Sequence, residues 1–122
     1  MEQLKNKNIL VVDDEVLIQE IIKELLESYG MKVTTAGNGL EAFELIKKET
    51  FDLVISDIRM PECSGLELLK LINAYDSSAP EVILVTAFND ISAERAKSLG
   101  AKGLFLKPGA IENIIDVIRE SL

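Results

Sequence analysis

Five short apolar runs alternate with five amphipathic stretches along the whole chain, and this alternation limits the possible folds more than any other property of the sequence. Residues 9–13 are nearly all apolar, as a strand buried on both faces should be. Residues 32–36 are shorter in apolar content and fit a strand at or near an edge. Residues 53–57, 82–86 and 103–106 complete five expected strands. Between them, residues 15–29 carry Ile18, Ile21, Ile22, Leu25 and Tyr29 on one expected helical stripe, which Gly30 ends. Residues 40–48 place Ala42, Phe43, Leu45 and Ile46 on a second helix. A turn from Pro61 to Gly65 leads into a third helix over 66–74. Residues 91–99 form a helix with a weak apolar face, and 111–122 a last one with Ile111, Ile114, Ile115 and Ile118 inward. Repeated βα units with short connections require a parallel sheet with helices on both faces, crossing over in the right-handed sense. The expected strand order is 2-1-3-4-5, taken from known doubly wound sheets rather than derived from spacing.

In such a sheet the carboxyl ends of the strands share one edge, and ligands bind where the strand order reverses. The runs end in Asp13-Asp14-Glu15, Asp57, Thr86 and Lys107. Three carboxylates, a hydroxyl and an ammonium are thereby expected in one cleft, a set able to hold a divalent cation and a phosphoryl group.

Composition narrows the function. At 122 residues and 48% hydrophobic content, the chain fits one globular domain with a real core. No apolar run approaches the roughly 18 residues of a membrane span, and the first residues do not resemble a signal peptide. One cysteine, Cys63, cannot form an internal disulfide, so a cytoplasmic location is expected. A formal charge of -8 opposes direct nucleic-acid binding, which needs basic surface. Without histidine, any bound metal should be hard and held by oxygen. No linker or repeat interrupts residues 1–122, so a single domain with no attached effector is expected.

Each residue also has a plainer structural reading. An acid after a strand can simply cap a helix, but one acid suffices, and Asp13-Asp14-Glu15 creates repulsion that a cation would relieve. Asp57, at the end of a buried strand, needs a partner; Lys107 alone would serve. With a cation and an ammonium beside it, the same carboxylate is a nucleophile able to form an aspartyl phosphate. Thr86 is an ordinary strand former that is also placed to hydrogen-bond a phosphoryl oxygen.

The chain resembles the receiver domains of bacterial two-component signalling over nearly all of its 122 residues. The resemblance is carried by Val11-Val12-Asp13-Asp14-Glu15, Asp57-Ile58-Arg59-Met60-Pro61 with Gly65 following, Thr86-Ala87 and Lys107-Pro108. It implies a flavodoxin-like or CheY-like fold and a phosphoprotein acting as a signalling domain rather than an enzyme. Asp57 would accept phosphate from a histidine kinase or histidine phosphotransfer protein. Asp14 and Asp57 would ligate Mg²⁺ (or Mn²⁺), with Asp13 assisting through water and the Arg59 backbone carbonyl as a further ligand. Thr86, Lys107 and the Ala87 backbone N–H would contact the phosphoryl group, while Thr86 and Phe105 would switch. The fourth helix, fifth strand and last helix would then control a downstream target or effector domain, in a monomer or weak dimer. Arg59 and Phe88 flank the site and are expected to tune phosphoryl lifetime. Gly109 stands where a bulkier residue is common, and tyrosine is common at Phe105.

Three rival readings differ at identifiable residues. Gly37-Asn38-Gly39-Leu40-Glu41-Ala42 fits the G-x-G-x-x-A dinucleotide fingerprint, with Asp57 about 20 residues on. That reading places the loop after a peripheral strand and leaves Asp13, Asp14, Thr86 and Lys107 unexplained. A phosphohydrolase would want a second acid where Arg59 stands. A degenerate receiver that only binds partners would not need the intact acidic set.

Overall fold

The computed structural model describes residues 4–75, 80–86, 92–106, 114–116 and 118–119. The element order is β1 (Asn8–Val12), α1 (Val16–Ser28), β2 (Lys32–Ala36), α2 (Gly39–Lys48), β3 (Leu53–Asp57), α3 (Gly65–Tyr75), β4 (Glu81–Thr86), α4 (Ala93–Ser98) and β5 (Gly103–Leu106). Helical backbone follows at 114–116 and 118–119. The strands form one parallel sheet in the order β2-β1-β3-β4-β5. The expected five-stranded doubly wound fold and strand order are therefore correct.

Side-chain alternation splits the core into two clusters, one on each face of the sheet. Leu10, Val12, Val54, Val82 and Leu84 face Ala42, Ile46, Leu68, Leu69, Ile72 and Ala96, so α2, α3 and α4 cover that side. Ile9, Val11, Leu53, Ile55, Ile83 and Val85 face Ile22 and Leu26 of α1 together with Ile114, Ile115 and Ile118. Burial on both sides explains the apolar runs; β2 is an edge strand and is only partly buried, as its polar content implies.

Helices α2, α3 and α4 start on side-chain caps, whereas α1 has none. Asn38 Oδ1 accepts from the Glu41 N–H at the head of α2, and Ser92 Oγ accepts from the Arg95 N–H at the head of α4. Ser64 and Glu67 cap α3 reciprocally: Ser64 Oγ accepts from Glu67 N–H at 3.2 Å, and Glu67 Oε1 accepts from Ser64 N–H at 3.1 Å. The far end of α4 is tied to α3 by the Asn73 side-chain amide, which donates to the Leu99 carbonyl at 2.9 Å.

One sequence expectation for α1 needs correction. Ile21 does not lie on the buried stripe; it is 42% exposed, alongside exposed Val16 and Leu17. The buried line is Gln19, Ile22 and Leu26, with Ile18, Leu25 and Tyr29 half-buried at its border. Seven apolar residues on this helix make its rotation ambiguous from periodicity alone, and Gln19, buried on the inward line, makes two hydrogen bonds described below.

Candidate functional site

Register brings the acids together. Val12 pairs with Ser56 across β1 and β3, so the next residues, Asp13 and Asp57, stand side by side at the carboxyl edge. These are the two strands at which the chain order reverses. Carboxylate oxygens of Asp13, Asp14 and Asp57 all lie within 4.8 Å of one another. Asp13 and Asp57 are buried, while Asp14 is exposed at the mouth.

Backbone groups orient each carboxylate. Asp13 Oδ1 accepts from the Glu15 N–H at 2.9 Å, an Asx-type turn just ahead of α1. Asp57 Oδ1 accepts from the Ile58 N–H at 2.8 Å. The expected capping role is not what Asp13 plays: Glu15 is the N-cap of α1 and has no side-chain cap, and Asp13 instead closes a local turn onto the Glu15 N–H. Three anionic oxygens at this spacing suit a hard divalent cation such as Mg²⁺ or Mn²⁺, and no softer ligand is nearby in the cluster.

The connection from β3 to α3 forms one wall. Asp14, Ile58, Arg59, Met60, Pro61, Ser64 and Leu66 line an open groove of about 570 Å³ beside the acids. The loop folds back so closely that Gly65 N–H donates to the Ile58 carbonyl at 2.8 Å. A Cβ on Gly65 would lie 2.1 Å from the Asp57 carbonyl oxygen, so only glycine fits there. Gly65 thus fixes the backbone that carries Asp57. Its place in the motif was legible in the sequence, but the reason for it was not.

Thr86 is fully buried at the end of β4. Asp57 pairs with Val85, which puts Thr86 one residue beyond it on the neighbouring strand. Phe105 pairs with Val85 through the β5 backbone. Lys107, Pro108 and Gly109 lie outside the described residues, as do Ala87, Phe88 and Ile111. Cys63 is buried near the loop and its thiol is pushed up by burial, with Glu67 adding in the same direction.

Sequence reading missed Gln19. Its amide nitrogen donates to the Asp13 carbonyl at 2.6 Å and the Ala36 carbonyl at 3.2 Å. The available signal was a polar residue in line with Ile22 and Leu26 at helical spacing. The Gly37–Gly39 loop, by contrast, follows the edge strand β2, and its Asn38 caps α2. Gly39 is in contact with Cys63, where a Cβ would meet Sγ at 2.6 Å, so this glycine serves packing.

Comparison with known proteins gives the same answer. The family profile described as "Response regulator receiver domain" matches residues 9–119. Sporulation initiation phosphotransferase F of Bacillus subtilis (strain 168) is 34% identical over 120 residues, which is 98% of this chain and 96% of that protein. Transcriptional regulatory protein ZraR of Klebsiella oxytoca is 38% identical over 116 residues, 94% of this chain but 26% of that relative, so the chain spans about a quarter of its length. Among solved structures, response regulator protein TrrA of Thermotoga maritima, in complex with Mg²⁺–BeF, superposes with a TM-score of 0.85 at 35% identity, covering 95% of this chain and 99% of that one. The CheX–CheY–BeF₃–Mg²⁺ complex of Borrelia burgdorferi gives a TM-score of 0.87 at 28% identity, covering 95% and 89%. Fold, order of motifs and near-complete coverage agree, and the chain belongs to the response regulator receiver domain family of two-component signalling.

Proposed function

We propose that this receiver takes a phosphoryl group onto Asp57 from a histidine kinase or histidine phosphotransfer protein, in a reaction that depends on Mg²⁺. The observation that carries this reading is the cluster of Asp13, Asp14 and Asp57 oxygens within 4.8 Å at the switch point of the sheet. An Asp57 oxygen attacks phosphorus, the P–N bond to the donor imidazole breaks, and the imidazole leaves with the bonding electrons. Asp14, Asp57 and the Arg59 carbonyl would hold the cation, with Asp13 assisting through water; the chemistry Mg²⁺ would supply is neutralisation of charge on the phosphoryl oxygens, so that an anion could enter an acidic pocket. Thr86, Lys107 and the Ala87 N–H contact the group once it is transferred.

Thr86 and Phe105 then relay occupancy to the face made by α4, β5 and the last helix, which controls a target or an effector domain. The chain acts as a single receiver domain in the cytoplasm, as a monomer or weak dimer, and the only reactions it assists are its own phosphorylation and dephosphorylation. No helix among the described residues is long and apolar enough to cross a membrane. Arg59 and Phe88 screen the phosphoryl group from water, and replacing both with alanine should speed its loss.

The test is to add beryllofluoride with Mg²⁺ and follow the amide spectrum by NMR. Shifts centred on Asp57, Thr86 and Phe105, lost in Asp57→Asn, are expected. An unchanged spectrum would overturn phosphoacceptance and favour a receiver that only binds partners.

A further inference from the structure

We infer that Gln19 is a positioning residue for the acidic pocket, setting its cation affinity through the backbone of Asp13 without touching the ligand; this rests on the metal-binding reading above. Gln19 is 8% exposed, on the inward line of α1 with Ile22 and Leu26. Its side-chain nitrogen faces two carbonyl oxygens, those of Asp13 and Ala36. Both are acceptors, so the amide orientation is unambiguous: only the NH₂ end can point there.

The arrangement closes a ring. Asp13 N–H donates to the Ala36 carbonyl at 3.1 Å, and Gln19 N–H donates to the Glu15 carbonyl at 3.1 Å as α1 begins. The Gln19 side chain reaches back from that first turn to the Asp13 carbonyl, while the Asp13 carboxylate receives the Glu15 N–H. Amide, carbonyl and carboxylate of Asp13 are all held, and the peptide leading to Asp14 is fixed with them. Asp14 is exposed, and this peptide is the backbone that would present its carboxylate to a cation. Residues that hold ligands from behind commonly change metal affinity by about 10–100-fold when removed.

Gln19→Met keeps length and volume but has no donor. Ile46→Val, in the core on the opposite face of the sheet, controls for general destabilisation. Mg²⁺ affinity of the three proteins is measured by calorimetry. Gln19→Met should bind about tenfold more weakly than the parent, and Ile46→Val equally well. Binding of Gln19→Met within twofold of the parent overturns the inference while leaving the metal reading intact. A parent that binds no Mg²⁺ overturns both. In the unaltered protein, the Gln19 side-chain NH₂ resonances should exchange slowly and shift on Mg²⁺ addition; rapid exchange without a shift overturns the inference even if the variant does not fold.

Discussion

Replacing Asp14 with asparagine should stabilise the protein without Mg²⁺ and destabilise it, relative to the parent, with Mg²⁺. Asp14 has carboxylate oxygens within 4.8 Å of those of both Asp13 and Asp57. Asp13 is its sequence neighbour, so that repulsion persists in the unfolded chain and largely cancels. The Asp14–Asp57 repulsion is created by folding. At 4.8 Å it is worth about 1 kcal/mol in water-like surroundings, the appropriate limit for an exposed group. For a domain of this size, that corresponds to a rise of about 4 °C in Tm. A cation that binds only the folded parent adds about 2.7 kcal/mol at a hundredfold excess over its Kd, a gain that the variant loses in large part. Thermal unfolding followed by circular dichroism, in EDTA and in millimolar Mg²⁺, should therefore rank the two proteins in opposite orders. A variant less stable than the parent in EDTA, or a parent whose Tm ignores Mg²⁺, would refute the reasoning.

Gly65→Ala sets a Cβ 2.1 Å from the Asp57 carbonyl, where ordinary contact starts at 3.4 Å. A loss of about 1–3 kcal/mol in urea unfolding is expected, together with a drop of about 100-fold in phosphorylation by acetyl phosphate, because the backbone of Asp57 must move by about an ångström. Leu26→Ala should cost about 2–5 kcal/mol, whereas Ile21→Ala should cost less than about 1 kcal/mol despite its apolar character; equal losses in chemical denaturation would restore Ile21 to the core. Leu17, 71% exposed in the first turn of α1, should tolerate serine without loss of stability; slower transfer from a protein donor, with acetyl phosphate unaffected, would identify it as a contact for that donor. Burial raises the Cys63 thiol above its ordinary value, so its neutral form contributes stability that is complete below the unfolded thiol pKa and lost as pH climbs through the folded one. As pH rises through the ordinary thiol range and beyond it, the parent should lose stability relative to Cys63→Ala; parallel curves would contradict this.

The sheet was readable because its strands are buried twice over. Leu10 and Val12 serve one core and Ile9 and Val11 the other, leaving an unbroken apolar run with a polar residue at its end. The position of Asp57 followed from the same rule. The rotation of α1 was not readable, since apolar letters at 16, 17, 18, 21, 22, 25 and 26 outnumber what one face needs. The face turned inward carries Gln19 with two hydrogen bonds beside Ile22 and Leu26, and tertiary bonds of that kind leave no periodic mark. The close approach at Gly65 was equally silent, because the glycine announces a tight spot without naming the carbonyl it makes room for.

The bond from Asn73 to the Leu99 carbonyl, at 2.9 Å, gives α4 a heel. Ala96 is its one residue in the central packing among those whose side chains are described, and Ser92 at its other end is exposed. A rearrangement of this short helix would therefore have to break that bond or carry the Asn73 turn of α3 along with its Leu99 end.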